Sequence, residues 1–343
     1  MKAVLMEARG GPEVLRRGEV EIPPPGPLEV RVQVRAVALN HLDVWVRKGT
    51  ASPKLPLPHI LGCDVAGLVE SLGPGVAGFQ PGDAVVLNPG VSCGRCEKCL
   101  AGADNLCPRY QIIGEHRWGG YAEYIVVPAV NLAPKPAPLS WEEAASIPLT
   151  FLTAWQMVVD KLRVGPGEDV LVMAAGSGVS VAAMQIAKLY GARVIAASSS
   201  PEKLRAAQQL GADEVVNYTE PDWSKRVKEL TGGKGADAVV DHTGAEFWPE
   251  VIKATAWGGR ISLSGASSGH QATTPLSHIF YRQLTILGST MASKSRLFPI
   301  LRWVAEGKLK PVVGAVLPLE AAAEGHRRLE GRQVFGKVVL RVS

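Results

Sequence analysis

Residues 170–180 read Val-Leu-Val-Met-Ala-Ala-Gly-Ser-Gly-Val-Ser, an apolar run that leads into a glycine-containing turn. A helical pattern follows over Val181–Leu189. Gly176 and Gly178 permit a tight turn, and the small Ser180 lets the helix pack closely on the strand. Free N–H groups and the helix dipole at such a turn favour a bound phosphate. The stretch therefore predicts a dinucleotide-binding turn, and a strand–helix turn without a ligand is the alternative.

Six short apolar runs extend from this turn toward residue 290, with helical patterns between most of them. The runs are Val170–Ala174, Arg193–Ala197, Glu214–Val216, Ala238–Asp241, Arg260–Ser264 and Leu284–Gly288. Gly191 and Gly211 stand where the C-termini of helices are expected. Strand–helix alternation of this kind indicates right-handed crossovers and a parallel sheet. The region predicts a doubly wound, six-stranded Rossmann domain.

The first 150 residues have a different pattern, with short strands between proline-rich turns. Leu28–Leu39 alternates apolar and polar side chains, as a half-buried strand does. The end of the chain, Lys337–Val342, is a further predicted strand that returns to this region. We predict an α/β protein with a β-barrel domain over 1–151 and 291–343 and the Rossmann domain over 152–290.

The composition excludes several classes of protein. The chain has 343 residues, of which 46% are hydrophobic and 20% charged, so wholesale disorder is excluded. The most apolar window, Val170–Ala187, contains glycines and serines, and no membrane span is predicted. No signal-peptide pattern is recognised, and a cytoplasmic protein is expected. The net charge of +5 is dispersed along the chain, which argues against nucleic-acid binding and suits an anionic ligand.

Four of the five cysteines fall close together in the barrel region. Cys93, Cys96, Cys99 and Cys107 have Cys-x2-Cys-x2-Cys-x7-Cys spacing. Four thiolates bind Zn²⁺ tetrahedrally and leave no open coordination position. The spacing predicts one structural zinc ion per chain in a lobe over about residues 91–110, and an iron–sulfur cluster is the alternative.

The end of the second Rossmann strand bears on the choice between NAD and NADP. Counting about 20 residues on from Gly178 reaches Ser198, where an NAD site ordinarily has Asp or Glu. Ser198 and Ser199 can donate to a 2′-phosphate, and Lys203 can neutralise it. The sequence favours NADP, with NAD as the alternative, because these serines could instead cap the helix that starts at Pro201.

These motifs resemble those of the medium-chain dehydrogenases, the superfamily of zinc-containing alcohol dehydrogenases and quinone reductases. The superfamily's barrel phrase matches Leu28–Asp43, a characteristic turn matches Phe79–Asp83, and Gly119–Tyr124 matches the phrase before the linker strand. The cysteine spacing is that of its structural zinc lobe, and Ala175–Ser180 matches its coenzyme loop. The resemblance implies a GroES-like β-barrel catalytic domain, a Rossmann domain, and a homodimer or homotetramer.

The chain departs from the zinc alcohol dehydrogenases at the catalytic metal. That branch binds a catalytic Zn²⁺ through a Cys, a Gly-His-Glu motif and a second Cys. Here the three slots are Asn40, Gly62-Cys63-Asp64 and Leu149. The hydroxyl and the histidine of the branch's proton relay are replaced by Leu42 and Trp45. Too few donors remain for an open catalytic site, although neighbouring histidines leave a rebuilt site as an alternative.

Four phrases resemble the zinc-free quinone reductase branch instead. They are Asn40–Asp43, Val46–Gly49, Gly62–Gly67 and Leu149–Trp155, the last of which contains Thr153. That branch transfers a hydride from NADPH to a quinone or an activated C=C bond. Such an acceptor is already polarised, so hydrogen-bond donors can stabilise the enolate without a Lewis acid.

The resemblance assigns candidate site residues in both domains. The catalytic candidates are Asn40, His41, Asp43, Cys63 and Asp64. Asn40 and Asp43 could instead fix a helix start, Cys63 could be a small buried residue, and His41 could contact the pyrophosphate. The candidate coenzyme ligands are Thr153, Gly176, Ser177, Gly178, Val179, Ser198, Ser199, Lys203, His242, Thr243, Ser264, Gly265, Gly288 and Ser289.

Three functions remain as hypotheses. The first is NADPH-dependent reduction of a small-molecule quinone or enone. The second is zinc-dependent interconversion of alcohols and aldehydes, and the third is dinucleotide binding without catalysis. One zinc ion per chain favours the first function, and two favour the second.

Overall fold

The computed structural model describes residues 1–343, which divide into two compact units. Unit 1 comprises Met1–Leu149, Ser293–Gly307 and Pro311–Ser343. Unit 2 comprises Thr150–Ala292 and Lys308–Lys310. None of the helices combines the length and apolarity that crossing a membrane requires.

The strands and helices are numbered in chain order. The strands are β1 (Lys2–Met6), β2 (Leu15–Glu19), β3 (Glu29–Ala38), β4 (His59–Ile60), β5 (Asp64–Leu72), β6 (Ala84–Leu87), β7 (Gly90–Val91), β8 (Gln111–Ile112), β9 (Tyr124–Pro128), β10 (Leu132–Pro134), β11 (Asp169–Val172), β12 (Arg193–Ser198), β13 (Glu214–Asn217), β14 (Ala236–Asp241), β15 (Thr255–Leu263), β16 (Thr285–Gly288), β17 (Val313–Pro318) and β18 (Lys337–Arg341). The α-helices are α1 (His41–Lys48), α2 (Glu97–Leu100), α3 (Trp141–Ala145), α4 (Pro148–Trp155), α5 (Gly178–Leu189), α6 (Pro201–Gln209), α7 (Trp223–Leu230), α8 (Trp248–Ala254), α9 (Leu276–Arg282), α10 (Leu297–Ala305) and α11 (Ala322–Glu330).

Unit 2 is built on a six-stranded parallel sheet in the order β13-β12-β11-β14-β15-β16. The order reverses direction between β11 and β14, as in a doubly wound fold. Leu171, Ile195 and Val239 in three of the central strands are fully buried, because helices cover both faces of such a sheet. The predicted six-stranded parallel domain is therefore confirmed.

The predicted strands of this sheet differ from the observed ones by one or two residues at their ends, except for one strand that begins five residues earlier. β15 begins at Thr255 rather than at Arg260, and its pairing with β14 shifts register between Ala236 and Ala238. The glycines at 258 and 259 fall within this irregularity. A glycine pair is typical of a turn in sequence, and here it occurs inside a bulged strand.

Unit 1 contains a seven-stranded sheet around β3, which pairs with β5, β9 and β18. Val30, Val32 and Val34 of β3 are buried, while the residues between them are partly exposed, which confirms the predicted alternation. β18 pairs antiparallel with β3, so the predicted C-terminal strand is confirmed. β17, which pairs parallel with β18, was not predicted.

Helix caps position the turns that carry candidate residues. Ser140 Oγ accepts the Glu143 N–H at 3.1 Å, and the Glu143 carboxylate accepts the Ser140 N–H at 2.8 Å, which is a capping box. α5 begins with Ser177 as its N-cap, and α6 begins with Ser200 as its N-cap. The glycine-containing turn therefore leads directly into α5, as the sequence predicts.

Candidate active site and metal centre

The four clustered cysteines come together between β7 and β8. All four Sγ atoms lie within 4.8 Å of one another. Thiolates around a tetrahedral zinc ion have Zn–S distances of about 2.3 Å, which places the sulfurs about 3.8 Å apart. The Cys99 Sγ atom lies 3.9 Å from Cys93 Sγ and 3.5 Å from Cys96 Sγ, which is close to this spacing. The donor set and its spacing fit one structural zinc ion with no open position.

The surroundings of the cysteine lobe fix it in unit 1 and shift the pKa values of its thiols in opposite directions. The pKa of Cys93 is lowered to about 5, first by the backbone N–H of Arg95 and also by the Arg109 guanidinium. The Cys99 backbone N–H lowers the pKa of Cys96, but burial and the neighbouring thiols outweigh it and raise the value to about 11. Lys294 Nζ lies 2.9 Å from Asp104 Oδ2 and 3.0 Å from Ser92 Oγ. The lobe thus has an ionic attachment to a distant part of the chain.

A second cluster occupies the slots that bind a catalytic zinc ion in the alcohol dehydrogenase branch. Asn40 Nδ2 lies 3.3 Å from Cys63 Sγ and 2.9 Å from Asp64 Oδ2. Lys337 Nζ donates to Asn40 Oδ1 at 2.6 Å and to Asp64 Oδ2 at 3.1 Å. The backbone N–H of Leu149 donates to Asp64 Oδ1 at 2.7 Å. We call Asn40, Cys63, Asp64, Leu149 and Lys337 the lysine pocket. Of these residues, Asn40, Cys63, Asp64 and Lys337 are at most 6% exposed.

The lysine pocket does not fit a catalytic zinc ion. Zinc binds thiolates, but burial and the Asp64 and Asp43 carboxylates raise the pKa of the Cys63 thiol well above its usual value. The Asp64 carboxylate already accepts three hydrogen bonds. The Nδ2 atom of the Asn40 amide donates to its neighbours, and the Oδ1 atom accepts from Lys337. The ammonium group of Lys337 supplies the positive charge beside Asp64.

Asp43 fixes the backbone beside the lysine pocket. Its carboxylate accepts the N–H groups of Asn40 at 2.7 Å and Gly62 at 2.9 Å. Gly62 has φ +95°, and a Cβ there would lie 2.4 Å from the Tyr121 ring, so the turn before Cys63 requires glycine. Burial raises the pKa of Asp43 to about 6, and the two N–H groups oppose this shift. These contacts match the helix-start role.

The two neighbouring histidines do not complete a metal site with this pocket. His59 is buried, and its Nε2 lies 3.1 Å from the Gly114 carbonyl oxygen. Burial lowers the pKa of His59. His41, the first residue of α1, is half-buried with its ring 6.4 Å from that of Trp45. The group of potential metal-ligating side chains that the structure brings together is the cysteine lobe.

A hydrogen-bonded chain behind the lysine pocket was missed by the sequence analysis. Arg47, fully buried, has Nη1 3.0 Å from His326 Nδ1, and Tyr121 Oη lies 3.1 Å from His326 Nε2. Burial, and then Arg47, lowers the pKa of His326 to about 3. Lys337 was missed as well, because its partners Asn40 and Asp64 lie 297 and 273 residues away in the sequence.

The glycine turn of unit 2 brings several predicted coenzyme residues together. Gly176 is buried, and a Cβ on it would lie 2.5 Å from Lys203 Cδ, so the Lys203 side chain lies across the turn. His242 Nε2 lies 2.9 Å from Ser177 Oγ. Ser198 is buried and its Oγ accepts the N–H of Ser200 at 3.4 Å, whereas Ser199 is exposed.

The carboxyl ends of β14 and β16 carry polar atoms that lack a partner. One oxygen of Asp241 accepts the Thr243 N–H at 2.7 Å, while the other, buried, has no hydrogen-bond partner. Ser289 Oγ is also buried and unpaired. Such atoms cost about 1–3 kcal/mol each unless a ligand or water pairs with them. The turn and these atoms fit a dinucleotide coenzyme, which binds at the carboxyl ends of such strands.

The other predicted coenzyme residues take different positions in unit 2. Thr153 is buried in α4. Gly178 and Val179 open α5, and both are partly exposed. Ser264 is partly exposed and Gly265 exposed beyond the end of β15, and Gly288 is exposed at the end of β16.

Comparisons with known proteins agree with this architecture. Residues 26–137 match the alcohol dehydrogenase GroES-like domain family, and residues 178–306 match the zinc-binding dehydrogenase family. An NAD-dependent alcohol dehydrogenase of Sulfurisphaera tokodaii is 32% identical over 99% of both chains. A quinone oxidoreductase of Homo sapiens is 30% identical over 99% of this chain and 97% of its own. A crystal structure titled NAD-dependent alcohol dehydrogenase is 74% identical, with full coverage of both chains and a TM-score of 0.98.

The fold, the glycine turn and the cysteine lobe are those of an enzyme with a GroES-like catalytic domain and a Rossmann domain. The chain belongs to the medium-chain dehydrogenase/reductase superfamily. It is an NAD(P)-dependent oxidoreductase.

Proposed function

We propose that this oxidoreductase reduces a small-molecule quinone or enone without a catalytic metal. The observation that supports this most directly is the lysine pocket, where an amide occupies one slot for a zinc ligand and the Lys337 ammonium group donates to two of the slot residues. Similarity to a protein named quinone oxidoreductase also supports it.

The reaction requires a hydrogen-bond donor beside the acceptor oxygen. When bound, the nicotinamide supplies a hydride to the electron-poor carbon of the acceptor, whose oxygen then carries the charge of an enolate or phenolate. That oxygen needs a hydrogen-bond donor. The Asn40 amide already donates to Asp64 and Cys63, so it serves the pocket structurally. His41, half-buried at the start of α1, is our candidate for the donor.

Two further assignments belong to this proposal. One Zn²⁺ per chain is bound by the cysteine lobe, where it orders a loop with little core of its own. NADP(H) is the preferred coenzyme, because the end of β12 has no acidic residue and instead carries the exposed Ser199. If Lys203→Ala weakened NADH and NADPH binding alike, Lys203 would not select the coenzyme.

Oxidation of NADH and NADPH against a panel of acceptors tests the function. We expect turnover with quinones or enones by protein that contains one zinc ion per chain. His41→Phe should lower kcat for these acceptors by about 10²-fold, the usual lower range for one acid–base or donor group, while the coenzyme Kd changes little. Turnover confined to aldehydes by protein with two zinc ions per chain would contradict the proposal.

A second candidate function is the interconversion of alcohols and aldehydes. The names of the Sulfurisphaera tokodaii relative and of the 74% identical structure favour it, and both proteins are named NAD-dependent. This function requires that a metal or another electrophile polarise the alcohol oxygen. If protein that contains one zinc ion per chain reduced NAD in the presence of an alcohol, alcohol oxidation without a catalytic metal would be favoured.

A further inference from the structure

A partly buried histidine lies beside the glycine turn of unit 2. His242 directly follows β14, and its Nε2 atom lies 2.9 Å from Ser177 Oγ and 2.8 Å from Ser180 Oγ. Ser177 is the N-cap of α5, and Ser180 lies in its first turn. One ring nitrogen therefore contacts both hydroxyl groups of the turn.

The direction of these hydrogen bonds follows from a carbonyl group. Ser180 Oγ lies 2.6 Å from the Met173 carbonyl oxygen, which can only accept, so the single proton of that hydroxyl is used there. The Ser180 oxygen can then only accept from His242, so Nε2 carries a hydrogen. Burial lowers the pKa of His242 to about 4, so the ring is neutral at pH 7 and donates from Nε2.

This arrangement leaves the proton of Ser177 available to a ligand. Ser177 Oγ accepts the Ser180 N–H at 3.1 Å and cannot donate to a nitrogen that already carries hydrogen. Its own proton can point to Ser180 Oγ, 3.0 Å away, or outward from the turn. A phosphate oxygen is the better acceptor, because hydrogen bonds to charged groups are about twice as strong as neutral ones.

We propose that His242 is a positioning residue for the coenzyme pyrophosphate, since its Nε2–H keeps both serine oxygens as acceptors and so presents the Ser177 proton to a phosphate. The proposal rests on the proposed function only in requiring that this turn binds the dinucleotide. The pyrophosphate is common to NADH and NADPH, so His242 affects both nucleotides equally. The imidazole acts through Ser177.

Fluorescence titration of NADH and NADPH tests this role through the dissociation constants. The variants are His242→Leu, Ser177→Ala and the double variant, each checked for folding by thermal unfolding. We expect each single substitution to weaken both nucleotides about tenfold, the range for one hydrogen bond to a charged group. The double variant should bind as the Ser177→Ala variant does, because His242 has no effect once the hydroxyl is absent. His242→Gln, whose amide N–H can replace Nε2–H, should stay within about threefold of the wild type.

Several outcomes would overturn the role of His242. These are additive losses in the double variant, a loss confined to NADPH, and a His242→Gln variant as weak as His242→Leu. Ser177→Ala leaves the other groups in place, so an unchanged Kd in that variant would overturn the proposal even if His242→Leu does not fold. A wild-type protein that binds neither nucleotide would instead overturn the proposed function itself.

Discussion

The cysteine lobe and the lysine pocket belong to the same unit and use thiols in opposite ways. In the lobe four sulfurs lie within 4.8 Å of one another, and backbone N–H groups with an arginine lower the pKa of Cys93 to about 5. In the pocket the lone Cys63 is fully buried beside two carboxylates, and its pKa is raised well above the usual value. The lobe brings four sulfurs together, whereas the pocket surrounds a single sulfur with carboxylates that oppose its ionisation.

The two regions also differ in the source of their positive charge. The lobe has four sulfur donors, which an added cation would stabilise. The pocket has its own cation, because Lys337 lies 3.1 Å from Asp64. We therefore expect the folding of the lobe to depend on a metal ion and that of the pocket to be independent of one.

The largest expected effect is on zinc content, which is compared after the same Cys-to-Ser substitution in the lobe and in the pocket. Cys107→Ser removes a lobe ligand, and we expect zinc content to fall close to zero with a large fall in Tm, since structural zinc contributes ~10–16 kcal/mol of binding in zinc-finger peptides. Cys63→Ser is the matched control and should leave zinc content unchanged. Elemental analysis with thermal unfolding measures both. Loss of zinc from the Cys63→Ser protein would contradict the assignment of zinc to the cysteine lobe alone.

The next effect comes from removal of the internal cation. Lys337→Met leaves the Asp64 carboxylate buried and unpaired, which should reduce the free energy of unfolding by about 3–5 kcal/mol. The double variant Lys337→Met with Asp64→Asn removes both charges and should recover part of this loss. Denaturant unfolding measures all three proteins. If the double variant were no more stable than Lys337→Met, the ion pair would not be the source of the effect.

The hydrogen-bonded side chains of Arg47, His326 and Tyr121 predict that the free energy of unfolding depends on pH, independently of zinc. The pKa of His326 is lowered to about 3 in the folded protein, below the ordinary value of 6.5. Between these values the unfolded chain takes up a proton that the folded chain does not, so stability falls as pH falls, by at most about 1.4 kcal/mol per pH unit. His326→Gln should reduce this slope, and His270→Gln, at an exposed loop histidine, should not.

Asp43 acts in the opposite direction over part of that range. Its pKa is raised to about 6 in the folded protein, above the ordinary 3.8, so its contribution to stability is present at low pH and is lost as pH rises through 6. Asp43 is present in both the wild type and His326→Gln, so its contribution cancels when the slope of stability against pH in one protein is subtracted from that in the other. Equal slopes in the two proteins would show that His326 does not remain neutral when folded.

The smallest expected effect is that of Cys63→Ala. This substitution removes one buried sulfur and a weak contact with Asn40, so the free energy of unfolding should fall by about 0.5–1.5 kcal/mol. The Kd for NADPH and the zinc content should not change. A Cys63→Ala protein that lost zinc or coenzyme affinity would place Cys63 in a functional role and weaken the contrast with the lobe.

Much of the fold could be predicted from local sequence patterns. The alternation over Leu28–Leu39 and the apolar runs from Val170 onward specify strands because side-chain burial has the period of the element. The strand β17 escaped prediction because its residues alternate only between partly exposed and exposed positions. The start of β15 escaped because glycines in a bulge resemble a turn.

The site was less accessible to sequence reasoning than the fold. The cysteine lobe could be predicted because its ligands are close in sequence. Lys337 lies 273 residues from Asp64 and 297 from Asn40, and only the pairing of β18 with β3 brings them together. Long-range pairs of this kind carry no local spacing, so the sequence revealed the absence of zinc ligands but not the cation in their place.

We infer that the lysine pocket is complete without a metal ion. Elemental analysis of the purified wild-type protein, combined with anomalous diffraction at the zinc edge, tests it most directly. We expect one zinc ion per chain, located among Cys93, Cys96, Cys99 and Cys107. A second ion beside Cys63 would contradict it.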